Sequence, residues 1–325
     1  KKAVTAGVSV LLVLGLYSPL RWMVVSHPNQ YIYFNEIFGG IGNAYNEYET
    51  DYWMNSTREA SQWVMDNLPE VQSGELVKIA TQAHKPIHHY FLDNDSVQII
   101  YTRYHERVKQ DWDYGLYITR FVNAGVVESG LFPPGEEVIA KREIDGTLIW
   151  ALTRRSEINK AAAEADDAMS AGDTPRALAL LEAAVADNPK DESAWLLLAQ
   201  YYMQAQQLPK AKEALDHLMA YSDRYSNILG LMARYYFAVQ DKENGKLHLE
   251  KATEVNVKYV FGHYQLAQLY AQEGRLQEAL GRLELFDRYG GASPRNVGAY
   301  DLCIQVAQQL SNDAARLYFE ARKLS

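Results

Sequence analysis

The chain opens on an unbroken apolar run. "AVTAGVSVLLVLGLYSPL" carries no charge from Ala3 to Leu20, and after Arg21 the run resumes as "WMVV" to Val25. About 20 consecutive apolar residues are what a helix needs to cross a hydrocarbon layer. Residues 27–55 are then crowded with aromatics at neither helical nor strand period. "STREASQWVMDNLP" follows, and places Ala60, Trp63, Val64 and Leu68 on one face of a helix capped by Ser56 or Thr57. "LVKIAT", "VQIIYT" and "YGLYITRF" read as strands, and "KPIHHYFL" as a short helix opened by Pro86. "PPGEEVIAKREIDGTLIWALTRR" alternates on both sides of Asp145-Gly146, a dipeptide suited to a tight hairpin turn. Strands, helices and a terminal hairpin in this order predict a sheet with helices packed on it.

After Ile158 the pattern repeats in rows of 34. Ala165, Ala199, Ala233 and Ala267 share one column; Ala177, Ala211, Gly245 and Ala279 share another; Leu181, Leu215, Leu249 and Leu283 share a third. Tyr202, Tyr236 and Tyr270 stand beside Leu198, Met232 and Leu266, while Trp195 and Pro189 fill further places. This resembles the tetratricopeptide repeat, a pair of antiparallel helices whose small residues let the backbones cross closely and whose aromatic packs on the next unit. Four units cover residues 158–291, and a fifth from Asn296 is expected to cap them. In "SAGDTPRAL" Gly172 ends one helix, and Asp173 caps the next with Pro175 in its first turn; Gly274 repeats the device.

The predicted fold class is therefore mainly α. A transmembrane helix occupies residues 1–26, a juxtamembrane segment and small α/β domain 27–155, and an α-solenoid of helix hairpins 156–325. In such a stack the first helix of each unit lines a concave groove. The repeat pattern places there Asn159, Asp166, Gln200, Met203, Gln204, Asn227, Arg234, Phe237, Phe261, Tyr264 and Gln268. That face is polar and aromatic, and it lacks the basic cluster with which chaperone-binding members hold a C-terminal carboxylate. The partner expected for it is a protein.

Composition narrows the rest. The 325 residues carry a formal net charge of −9. Residues 156–325 hold 18 Lys+Arg against 23 Asp+Glu, and the remainder 14 against 18. With neither part basic, nucleic acid is not an expected partner. Cys303 is the only cysteine, which rules out an intrachain disulfide. No small-x-small cleavage site follows the apolar run, so it reads as a span rather than a cleaved signal, with the lipid bilayer as a partner. Lys1-Lys2 then set the N-terminus in the cytoplasm and the rest outside. Trp22, Tyr31, Tyr33 and Phe34 read as a membrane-interface belt.

The juxtamembrane residues carry a second resemblance. His27-Pro28, Gln30-Tyr31, Tyr33-Phe34-Asn35, Gly39-Gly40, Glu49, Asp51-Tyr52-Trp53 and Arg58-Glu59-Ala60, followed by a small α/β unit, resemble the last span and extracytoplasmic tail of bacterial C-type membrane glycosyltransferases. These are relatives of protein O-mannosyltransferases and aminoarabinose transferases, and they use polyprenyl-phosphate sugars. The resemblance covers residues 3–155. It implies an inner-membrane location, a periplasmic C-terminal part and a polytopic parent, with the catalytic acids and the polyprenyl-phosphate sugar belonging to an upstream part. His27, Asn35, Glu49 and Asp51 would then lie at the membrane face, closing over a lipid-linked sugar.

No catalytic residue, cofactor or metal site is assigned in this chain. His84, His88 and His89 lack a third ligand at a usual spacing. Gly40-x-Gly42 has Tyr45 where a dinucleotide loop has its third glycine. No nucleophile elbow, phosphate-binding loop or zinc-protease motif occurs. Cys303 lies in the apolar "LCIQV" and reads as a buried thiol. Two functions remain: the non-catalytic part of a glycosyltransferase-like membrane protein whose repeats bind a protein, or a single-span scaffold of an envelope or respiratory complex. A soluble regulator with an apolar core helix is a third.

Overall fold

The computed structural model describes residues 2–35, 39–45, 48, 50–290 and 297–324. Glu49, on which part of the second resemblance rests, lies outside them. The chain forms two compact units, Lys1–Leu197 and Leu198–Ser325, and the division falls inside the helix Glu192–Gln204.

The first unit starts with the helix Lys2–Val25, about 36 Å long at 1.5 Å per residue. Gly7–Val25 has a mean hydropathy of 1.8, and only 6% of its hydrophobic window is buried, so its apolar side chains face outward. By length and composition this helix could cross a membrane, and a signal sequence meets the same criterion. The last turn differs. Trp22 packs edge-on against Tyr33 at 5.7 Å, and its indole donates to the Gln30 carbonyl at 3.1 Å. Arg21 pairs with Asp145 at 3.3 Å.

Five strands follow: β1 (Val77–Thr81), β2 (Val97–Tyr101), β3 (Tyr114–Ile118), β4 (Glu137–Ile144) and β5 (Thr147–Arg154), in the order β2-β1-β3-β5-β4. β1 is parallel to β2 and β3, whereas β5 is antiparallel to β3 and β4. The hairpin turns at Asp145 (φ 46°) and Gly146 (φ 75°), the two left-handed residues that a two-residue turn of this hand requires. β3, central and buried at every position, packs Leu116 and Ile118 in one core with Val64 of the helix Ser56–Asn67 and with Leu68 just after it. Neither Ser56 nor Thr57 caps that helix: Ser56 donates to Asp51, Thr57 donates to the Met54 carbonyl, and Asn55 stands at the cap position without a side-chain bond. The short helix begins at His84, with Pro86 as its third residue.

Helix pairs then recur. Glu157–Ala161 and Ala165–Ser170, joined through one tight turn, pair with Thr174–Asp187; Asp173 accepts from the Arg176 amide at 3.2 Å, and Gly172 has φ 83°. The second unit holds Leu208–Tyr221, Ser226–Ala238, Lys242–Val255, Val260–Gln272, Leu276–Gly290, Val297–Gln309 and Asp313–Leu324. The small and leucine columns are where the helices touch: Ala233, Ala267, Ala279, Leu249 and Leu283 are fully buried. Asp287, on Leu276–Gly290, accepts from the last pair: from the hydroxyls of Tyr300 and Tyr318, both at 2.6 Å, and from Arg322 at 2.8 Å. Burial opposes its ionisation, but these donors outweigh burial and hold the carboxyl below its ordinary range.

Candidate functional site

In the second unit, Val260–Gln272 and Val297–Gln309 are the first helices of successive pairs. Gln268, Gln272, Gln305 and Gln309 line a cleft of about 280 Å³ between them, floored by Ala271, Leu302 and Val306. Each helix contributes two glutamines four residues apart, the spacing that stacks side chains on one face. A carboxamide both donates and accepts, so a row of them matches the alternating N–H and C=O groups of an extended peptide. Gln272, Gln305 and Gln309 were missed in the sequence; their i, i+4 spacing on first helices is the signal that would have found them.

The other groove residues are placed as follows. Arg234 is exposed, Phe261 is 48% exposed, and Asn227 donates to the Tyr225 hydroxyl at 3.1 Å. Tyr259 stacks edge-on to Phe261 at 6.4 Å; burial pushes its hydroxyl up to about 12, against the pull of Arg234. Tyr264 lies tilted on Phe286 at 5.5 Å, and Phe237 packs against the same core, so both rings are committed largely to packing. Gln200 and Gln268 are half-buried, Gln204 is exposed and Met203 is buried. In the first unit Asp166 pairs with Lys109 at 3.2 Å, while Asn159 is buried with its side-chain oxygen unpartnered.

The first unit also holds a buried charge cluster that the sequence pattern did not reveal. Arg107, on the turn Tyr104–Lys109, is fully buried. It grips Glu192 with two bonds of 2.6 and 2.8 Å and Asp191 with one of 2.7 Å, and its guanidinium lies 4.4 Å from the Tyr104 ring centre. Asp191 also accepts from the amides of Ser193 and Ala194, so one carboxylate caps a repeat helix and neutralises the arginine. Glu136 stands 3.8 Å from the Arg107 Nε and accepts from Thr153. Burial raises its carboxyl to about 7, despite the opposing pull of Arg107. Arg155 covers Trp112 at 4.6 Å. This geometry resembles a structural joint: every donor faces protein.

Where the apolar helix ends, a cleft of about 1,190 Å³ opens, lined by His27, Trp53, Arg58, Glu59, Trp63, Tyr90, Arg142 and Trp150 among others. Asp51 is buried below, accepting from Tyr31 and Ser56, with its carboxyl raised by burial. Of the residues expected at the membrane interface, Trp22 is only 2% exposed and lies in the core of the sheet unit, where the last helical turn docks. Tyr33 and Phe34 also pack against that core, and Tyr31 is 36% exposed. Cys303 is fully buried, its thiol pushed by burial up to about 12. The His84 and His88 rings meet edge-on at 5.5 Å, and among the described residues no three His, Cys, Asp or Glu side chains gather as a metal set.

Residues 168–235 match the model of the tetratricopeptide repeat family. Tetratricopeptide repeats are thus present in the helical part, and they are protein-binding scaffolds. Solved structures similar to this chain include MamA (18% identity, 49% of this chain and 92% of that one, TM-score 0.40). PilF of Pseudomonas aeruginosa is another (16% identity, 50% and 73%, TM-score 0.42). A third is YrrB, described as a tetratricopeptide protein with an unusual peptide-binding site (16% identity, 51% and 84%, TM-score 0.37). No curated protein matches the chain.

Proposed function

We propose that the chain is a membrane-tethered module whose repeats hold an extended segment of a partner protein. The observation that carries this reading is the glutamine-lined cleft between consecutive first helices, with Arg234 and Phe261 exposed elsewhere in the same unit. The outward apolar face of Lys2–Val25 supports the tether, and the helical repeats would then stand on the periplasmic side. Peptide-array binding of the full chain in detergent tests the groove. Replacing Gln268 and Gln305 together by Ala is expected to weaken the best peptide by about thirtyfold, since each lost hydrogen bond is worth about 1 kcal/mol. Unchanged affinity would refute it.

A second reading, a non-catalytic part of a glycosyltransferase-like membrane protein that uses polyprenyl-phosphate sugars, is supported by position. His27, Pro28, Trp53, Arg58 and Glu59, which carry that resemblance, line one cleft although they lie as far apart as residues 27 and 59. Sequencing the gene upstream of Lys1 tests it: further apolar segments with an acidic pair in the first outer loop are expected. The alternative, a single-span scaffold, requires neither.

A further inference from the structure

We propose that the cleft at the foot of the apolar helix binds the phosphate of an anionic phospholipid headgroup. The inference rests on the tether reading above, because it needs bilayer lipid beside Val25. It does not depend on the repeat groove.

The first argument is charge. Arg58, Lys141, Arg142 and two histidines, His27 and His89, face this cleft against the acids Glu59 and Asp66. The acids are already engaged: Glu59 accepts from Asn29 at 3.1 Å and pairs with Arg142 at 3.4 Å, and Asp66 accepts from Gln62 at 2.9 Å. Lys141 pairs with Glu143 at 2.7 Å. Arg58 is exposed, and its guanidinium has no hydrogen-bond or ion-pair partner among the described residues. Among the described residues Asp66 is met only by the neutral Gln62 amide, so the opening for an anion is local: it lies at Arg58, whose guanidinium has all its donors free.

The second argument is donor excess. The Trp150 indole N–H is buried in the wall with no hydrogen-bond acceptor, and Trp150 is 3% exposed; the Arg142 Nε, 3.4 Å from the Glu59 carboxylate, is ion-paired without a hydrogen bond. Indole and guanidinium only donate, so a phosphate oxygen would supply the acceptor that the Trp150 N–H lacks and a charged partner for Arg58.

Position chooses the source. His27 and Pro28 directly follow the apolar helix, and Arg142 donates to the His27 carbonyl at 3.2 Å, so the basic wall is tied to the end of the span. Trp53, 72% exposed at the rim, has the amphipathic ring that settles between headgroups and acyl chains. Basic pockets beside a span are where anionic headgroups bind.

The test uses the full chain in neutral detergent, titrated with short-chain phosphatidylglycerol, with phosphatidylcholine and with inorganic phosphate, read by intrinsic tryptophan fluorescence. Flotation with pure phosphatidylcholine vesicles is run alongside. Phosphatidylglycerol is expected to bind at least fivefold tighter than phosphatidylcholine, since each interfacial Lys or Arg contributes about that factor. Arg58→Glu should abolish the preference, and Lys141→Ala should reduce it, both at unchanged melting temperature because neither side chain is buried. Equal affinity for the two lipids, or a preference that survives Arg58→Glu, would overturn the proposal while flotation leaves the tether standing. Inorganic phosphate binding as tightly as the lipid would overturn the lipid source and leave a soluble-anion site. Failure to float at all would remove the tether and this inference with it.

Discussion

Glu136 gives the first unit a pH-dependent stability whose sign and size can be worked out. Its side chain is 2% exposed, accepts from Thr153 and has Arg107 3.8 Å away. Burial nevertheless raises the carboxyl to about 7, against an ordinary value near 4.5. A carboxyl raised on folding favours the protonated native state, so the native chain binds more protons than the unfolded one between those two values. Stability from this group is therefore fully present below pH about 4.5 and is lost as pH rises through about 7. A displacement of two to three pKa units corresponds to roughly 3 kcal/mol over the whole window, at 1.36 kcal/mol per unit. Glu136→Gln keeps the shape and the acceptor for Thr153, and removes the titration. Urea unfolding at pH 5, 6, 7 and 8, followed by the fluorescence of Trp112, whose indole donates to the Arg107 carbonyl at 2.8 Å, is the assay. The wild type is expected to lose about 2–3 kcal/mol from pH 5 to 8 and the variant markedly less. Parallel stability curves for the two proteins would refute the argument.

Two further outcomes follow from buried charge. Arg107→Met leaves Asp191, Glu192 and Glu136 buried together without their cation, and should cost about 3–5 kcal/mol in a melt of the full chain. Asp287→Asn removes the charged acceptor of Tyr300, Tyr318 and Arg322. It should speed amide exchange across Val297–Gln309 and Asp313–Leu324, with a loss of about 1–3 kcal/mol. Because the Asp287 carboxyl is depressed, the same loosening is expected in the wild type as pH falls below about 4, and not in the variant.

The helical repeats were legible because their signal is redundant. Alanines and leucines recur at one spacing, and they recur because two backbones must cross closely at those places; the fully buried Ala233, Ala267, Leu249 and Leu283 are the packing counterpart of the columns. The hairpin was legible for a local reason, since Asp145-Gly146 is the dipeptide its turn geometry demands. Arg107 was not legible. "RYHERVKQDWD" has the composition of a solvated loop, and the partners that justify burying its second cation, Arg107, lie 84 and 85 residues away. The burial of Trp22 was illegible for a related reason: a tryptophan at the end of an apolar run has the pattern of an interface ring, and only the docking of the last turn beside Tyr33 shows its place in the core. Gln268 was placed by the repeat pattern, but Gln272, Gln305 and Gln309 escaped because a carboxamide on a helix reads as surface until a facing helix presents two more.

These contacts form a continuous path within the first unit. Trp22 shares a core with Val64, Trp150 and Leu152. Thr153, the next residue of β5, donates to Glu136, Glu136 faces Arg107, and Arg107 holds Asp191 and Glu192 where a repeat helix starts. Such a path transmits a signal only if one of its members has two arrangements of similar free energy. The apolar core has no alternative packing on view, and Arg107 is gripped by three bonds to carboxylate oxygens. Glu136, raised to about 7, changes state within the neutral range. The unit is therefore best understood as a rigid mount for the start of the repeats, loosened when this carboxyl loses its proton. Comparing Glu136→Gln with Arg107→Met separates the two roles: the first should flatten the pH dependence and keep the mount, whereas the second should weaken the mount at every pH.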